Sequence, residues 1–330
     1  MVNESQRWVL YAGALVGALW AGLPCAAAEN ESQPQAAPVS ETAASPAEGP
    51  QKIRLVYRFI PNQVVRYDVS HEMEITTQFS ETTEVARNKS EARKNYRVVG
   101  VNADGSGELE LMLDWVRMTA KLGDADVGVE FISDNPQFHS PKFKHILETV
   151  GKPQAVIRFS PTGAPLQVTA NKPLEAVQPG AGGADASPES YLPLFPAEAV
   201  AVGETWKERY DITARTSDKL PIKVEMLRVY QVSKIQDGRA EIDFKTTILT
   251  PIHDPTVSAQ LIQRETAGKM VFDMAQGLIV SRDVVVDRTV INPFGSKSSM
   301  RAVSKYRERL IKAEIVAQRT AGDRSPAPAN

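Results

Sequence analysis

The chain has 330 residues, a formal net charge of -2, 42% hydrophobic residues and one cysteine. That length exceeds a typical single domain, and the near-balanced charge leaves no overall basic field to attract nucleic acid. A lone cysteine excludes an intrachain disulfide framework.

Residues 8 to 23 form an uncharged, almost wholly apolar run after Arg7, and Ala26-Ala27-Ala28 offers small residues where a signal peptidase reads. The expectation is a removable export signal over 1–28 and a periplasmic or extracellular protein. The alternative is an uncleaved anchor, the only membrane contact expected. Gly22-Leu23-Pro24 departs from a lipidation motif at Cys25. Cleavage after Ala28 leaves a mature chain without cysteine, and so without thiolate nucleophiles or thiolate metal sites. Residues 29–51 are rich in Ala, Pro, Ser and Glu and carry too little apolar bulk to offset their ordering entropy, which reads as a disordered linker.

Folded sequence is expected to begin near Ile53, and strand alternation from Val65. Val65, Tyr67, Val69, His71, Met73 and Ile75 alternate with Arg66, Asp68, Ser70, Glu72 and Glu74, the period of an antiparallel strand with one wet face. Residues 79–95 mix charges of both signs and read as a solvated hairpin tip running into the next strand. Tyr96-Arg97-Val98 then leads through Asp104-Gly105 into Glu108-Leu109-Glu110-Leu111, a strand, turn and strand. Leu109, Leu111, Leu113 and Trp115 are expected to share one face. Asp124 and Asp126 lie in a turn, with no further ligands following at calcium-loop spacing.

Ser140-Pro141, an apolar stripe through Phe143, Ile146, Leu147 and Val150, and Gly151 predict a covering helix near 141–150. Strands around Val156 to Phe159 and Leu166 to Val168 flank a Pro161 to Gly163 turn, and the glycine-rich stretch 171–190 reads as a connection. The pattern then restarts: Arg209-Tyr210-Asp211-Ile212 echoes Arg66-Tyr67-Asp68-Val69, and Tyr230-Gln231-Val232 runs through Asp237-Gly238 into Glu241-Ile242-Asp243-Phe244. Met270 to Val280 echoes the strand-turn unit at 159–166. Three echoes in one order predict an internal duplication, with β-rich halves at 52–200 and 201–312. Leu278, Val280, Val284, Val286 and Val290 alternate, interrupted by Arg282 and Arg288. Residues 300–311 fit either a last strand or a helix, and 313–330 reads as a disordered tail.

The fold class expected is mainly β: a long curved antiparallel sheet, as a half-barrel or two pseudo-repeated sheets, with one or a few short covering helices. The four histidines, His71, His139, His145 and His253, show no metal-ligand spacing, and no nucleophile elbow, phosphate loop or dinucleotide fingerprint is present. His71 sits on an apolar strand face, the position of a hydrogen-bonded core histidine or of a ligand contact. Strands longer than the usual five or six residues must coil, and a coiled sheet with an apolar inside forms a trough. Tyr67, Val69, His71, Met73, Leu111, Leu113 and Trp115 are the residues expected to line it.

Phe59-Ile60-Pro61-Asn62 before a tyrosine-containing strand, the helix-Gly151-strand-Gly163 unit, and Pro196 followed by Val202-Gly203-Glu204-Thr205-Trp206 resemble a group of exported bacterial proteins known only as domains of unknown function. In architecture such proteins look like the lipoprotein-carrier group, whose half-open barrel binds acyl chains. Long amphipathic strands with few helices to cover them, together with that analogy, give the expected function: a non-enzymatic exported protein holding a lipid or other hydrophobic ligand on the concave face, with no cofactor and no nucleic-acid partner. The alternative is a structural or protein-interaction module of the cell envelope, its sheet filled by its own side chains.

Overall fold

The computed structural model describes residues 51–123, 128–139, 143–153, 155–170 and 192–316. The expected export signal, most of the linker, the Asp124/Asp126 turn, the Ser140-Pro141 helix cap and the 171–190 connection lie outside them.

The described residues form one antiparallel sheet of twelve strands, open rather than closed into a barrel. They are β1 (Gln63–Phe79), β2 (Thr82–Val101), β3 (Gly107–Leu122), β4 (Val129–Ile132), β5 (Ala155–Phe159) and β6 (Pro165–Ala170) in the first half. The second half supplies β7 (Thr205–Arg215), β8 (Pro221–Gln236), β9 (Arg239–Ile248), β10 (Ala267–Asp273), β11 (Leu278–Ile291) and β12 (Ser298–Ile315). The order is β6-β5-β3-β2-β1-β12-β11-β10-β9-β8-β7, with β4 pairing β3. The second half is a meander, while in the first β4 and β5 line different stretches of β3, and β12 joins the halves by pairing with β1 along its whole length. Residues 300–311 are therefore strand. The strand alternative holds there, although Val303, Tyr306, Leu310 and Ile311 also fit a helical period. Residues 313–315, assigned to the tail from sequence, belong to β12 as well.

Both Asp-Gly turns are present. Asp237 and Gly238 each have positive φ, the requirement of a two-residue hairpin turn matched to strand twist. Residues 79–95 are not a solvated tip beyond their first few positions. The chain turns at Ser80 and Glu81 and at once enters β2, whose Ala86, Asn88, Ser90 and Ala92 are buried.

The sheet curls tightly. Flat, β5 and β10 would stand six strand spacings apart, roughly 29 Å. Yet Tyr57 donates its N–H to Pro161 in the β5–β6 turn, 2.8 Å, while its ring meets Phe272 of β10 edge-on at 5.6 Å. Six register shifts, at Arg66/Tyr67, Arg93/Lys94, Val98/Gly100, Arg158/Phe159, Val232/Lys234 and Val271/Phe272, supply the local bends. The outer face is a hydrated ladder of ion pairs, among them Arg93–Asp68, Lys223–Asp211 and Arg301–Asp287, which solvent screening leaves weak.

The inner face is covered by three kinds of chain. Residues 53–59 and 192–200 run over it in extended form, joined by the Ile53–Val200 bridge. A short helix, α1 (Lys144–Leu147), with Phe143 covers Leu113, Val116 and Met118; it is shorter than the sequence pattern suggested. A second helix, α2 (Pro255–Leu261), went unread although Asp254 caps it and Pro255 opens it; its Val257 and Leu261 pack on β7 and β8. Gln260 of α2 donates to the Arg215 carbonyl and accepts from its N–H, at 2.6 and 3.1 Å, standing in for the strand that β7 lacks at that end.

Close approach at Gly268 of β10 fixes the curl between β9 and β11. A methyl group there would collide with the Asp283 carbonyl and the Phe244 ring. Gly268→Ala is expected to lower unfolding free energy by about 1–3 kcal/mol, as overpacking does, measured by urea titration.

Candidate functional site

Inward-facing positions can be followed across strands from the register. One row runs from Val116 of β3 through Ala92, Val69, Glu308 and Arg282 to Met270 of β10. The next contains Ser90, His71, Tyr306 and Val284. Lys94 occupies the neighbouring inner position beside Tyr67. Three charged side chains from β2, β11 and β12 thus converge on the middle of a largely apolar face.

Glu308 is the hub. Lys94 Nζ lies 2.6 Å from its Oε1, and Arg282 reaches Oε2 through Nε at 3.0 Å and Nη2 at 2.9 Å. The side chains of Arg282 and Glu308 are each 5% exposed. Aromatic residues complete the cluster. Lys94 donates to the Tyr96 hydroxyl at 3.1 Å and lies over the rings of Tyr96 and Tyr67, while Arg282 lies over Tyr306 and approaches its hydroxyl at 3.4 Å. Burial alone would raise the Glu308 carboxyl, but the adjacent Lys94 and Arg282 charges outweigh it and hold the group at about 2. Burial and the Glu308 charge push the Tyr67 and Tyr306 hydroxyls up. The triad carries two cations and one anion, all ion-paired.

Six of the seven residues expected to line a trough do face inward, but they serve different clusters. Tyr67 and Val69 pack with Tyr96, Val98, Leu109 and Ile157, and Leu111 leans on that group. The Tyr67 hydroxyl donates to the Ile279 carbonyl at 3.0 Å, spanning β12. Met73 sits with Ile75, Ile262 and Ala302, and Leu113 with Phe131 and Phe143. His71 is half-buried, with Nε2 2.8 Å from Ser304 Oγ. Trp115 is the exception. Arg93 pairs with Trp115 and Lys94 with Leu113, so Asp114 is an extra residue in a bulge and Trp115 turns to the outer face, donating to Asp134 at 3.0 Å. Strict alternation cannot anticipate a bulge, although the apolar Val116 on the supposedly wet side of β3 was its trace.

Among the described residues the hollow is filled. Tyr57 stacks on Phe195 at 4.7 Å, Phe195 meets Phe272 edge-on at 4.7 Å, and Leu55 is fully buried with them. The Tyr57 hydroxyl donates to Pro193 at 2.9 Å, and the Trp206 indole donates to Leu194 at 2.7 Å, tying the two covering segments to each other and to β7. Between Tyr67, Tyr96, Leu192, Ile279, Arg282 and Glu308 there remains a cavity of about 10 Å³, the room of one water.

The charged triad escaped sequence reading because pairing Lys94, Arg282 and Glu308 requires the β2-β1-β12-β11 order, which joins opposite ends of the chain. Arg282 did stand out as an interruption of an apolar face. A second inner polar group is local instead, built on the consecutive strands β7, β8 and β9: Arg228 donates to Thr246 at 2.8 Å and the Tyr230 hydroxyl to Glu208 at 2.7 Å.

No family model matches the chain and no curated protein matches it by sequence, so the resemblance to exported bacterial proteins rests on its short motifs alone. Among solved structures, lipovitellin, from work on its lipid–protein interactions, is similar over 80% of this chain and 26% of its own, at 12% identity and a TM-score of 0.44. DynF from the dynemicin biosynthesis pathway of Micromonospora chersina matches over 80% of this chain and 86% of its own, at 4% identity and a TM-score of 0.19. The Salmonella type III secretion secretin InvG matches over 79% and 62%, at 10% identity and 0.18. The chain spans about a quarter of the lipovitellin chain, and with each of these TM-scores below 0.5 the likenesses carry no argument about what it does.

Proposed function

We propose that this chain is an exported, non-enzymatic module of the cell envelope that works through its outer surfaces, its inner face serving as a core. The observation behind this reading is the filled hollow. Ligand pockets enclose roughly 300–1,000 Å³, whereas the cavity beside the triad offers about 10 Å³. His71 and Ser304 touch, yet they sit on paired strands whose backbone N–H groups serve the sheet ladder, which offers an oxyanion no ready donors.

The second reading, a carrier of a lipid or other hydrophobic ligand, draws on one feature: the cover over the apolar face is extended chain rather than sheet. It requires residues 53–59 and 192–200 to leave. Native mass spectrometry of the secreted protein separates the two. The proposed function predicts a bare polypeptide mass, with any adduct a protein subunit; a co-purifying lipid mass, with uptake of a fluorescent fatty acid, would establish the carrier instead.

A further inference from the structure

The β1–β2 and β11–β12 hairpins end side by side, because β1 and β11 both pair with β12, and the Ser80 N–H donates to the Lys297 carbonyl at 2.9 Å. At this shared tip Phe79 is 55% exposed, Ile291 64% and Phe294 45%. We infer that the double tip is a membrane-contact wedge that enters the interfacial layer of a zwitterionic lipid surface.

Register argues for a lipid surface over a protein one. Phe79 continues the inward row of Met73, Ile75 and Thr77, opposite Ser298, while Ile291 pairs with Ser299 in the outward row. The apolar groups therefore point to opposite sides of the sheet at one end, with Phe294 in the turn between. A flat protein surface covers one side. A fluid apolar layer surrounds the tip and covers all three, which suits aromatic and aliphatic side chains at a lipid boundary.

Charge sets both the lipid type and the depth. Glu81 and Lys297 sit one in each turn and Glu84 follows on β2, so the tip carries no excess of positive charge and no anionic lipid is required. Behind the turns, Glu84 stands opposite Thr77, two residues from Phe79, and Arg301, ion-paired to Asp287, stands opposite Thr76, three residues from it. The strand charges thus begin roughly 7–10 Å from Phe79 at strand spacing, within the depth to which interfacial segments sink. The contact is separate from the one expected of the leader and holds whatever fills the inner face.

The test uses the full chain with Cys25→Ser and Ile291→Cys, labelled with an environment-sensitive fluorophore and mixed with phosphatidylcholine vesicles. A several-fold rise in emission with a blue shift is expected, lost when Phe79→Ser and Phe294→Ser are added. The same label at Val202→Cys, 53% exposed at the other end of the sheet, should not respond. An unresponsive label at position 291, equal responses at both sites, or a response surviving the serine pair would each overturn the inference. Because the readout is local to the tip, insertion of the leader alone cannot mimic it.

Discussion

Glu308→Gln is expected to destabilise the protein by about 3–5 kcal/mol, measured by urea or guanidinium unfolding, the loss seen when one partner of a buried ion pair is removed. The substitution keeps the shape but leaves Lys94 and Arg282 facing each other inside the sheet with no anion between them. Acid titration gives the same cause a second signature. A carboxyl held at about 2 against an ordinary value near 4.3 contributes stability that is complete above the ordinary value and lost as pH falls through the folded one. The wild type should thus lose about 3 kcal/mol from this group between roughly pH 4 and pH 2, and Glu308→Gln should lack that slope. Replacing the triad together, Lys94→Met, Arg282→Met and Glu308→Leu, should recover most of the deficit, since apolar residues of similar volume dispense with the desolvation of three charges. Were the triple variant as unstable as Glu308→Gln, the triad would be doing more than filling space, and a ligand for its excess positive charge would have to be sought.

The strands were legible and their coming together was not. Val65 to Ile75 could be read residue by residue, because one face is wet and the other dry and the period is two. Asp104-Gly105 and Asp237-Gly238 announced their turns through the backbone torsions they supply. Trp115 was misplaced because a single bulge residue, Asp114, reverses every later side chain on β3. The inner cover was not anticipated, for a different reason. Ile53, Leu55, Tyr57 and Phe59 alternate like a strand, but nothing local says that they lie across a sheet, with only the Ile53–Val200 bridge and single bonds to turns, instead of joining it. The distinction between a vacant trough and a packed core rests on those few residues and on Leu192 and Phe195, far apart in sequence.

Phe195→Ala should therefore be the most informative change to the inner face. The ring stacks on Tyr57, meets Phe272 and lies 6.5 Å from Trp206, and the residue is 2% exposed. Its removal is expected to cost about 3–5 kcal/mol in denaturant unfolding, the range for a buried phenylalanine whose site cannot collapse. Collapse is resisted here because the Phe195 backbone stays anchored to Thr162 at 2.8 Å and neighbouring Leu194 to Trp206. The cavity left is dry and apolar, so the variant should bind a benzene-sized probe that the native protein excludes. Neither protein should take up a long acyl chain, because Leu55, Tyr57 and Leu192 still occupy the rest of the face. Acyl uptake by the native chain would mean that the covering segments leave as a unit. Phe195→Ala, by weakening their hold, should then raise acyl affinity, whereas a permanent core predicts no binding in either protein.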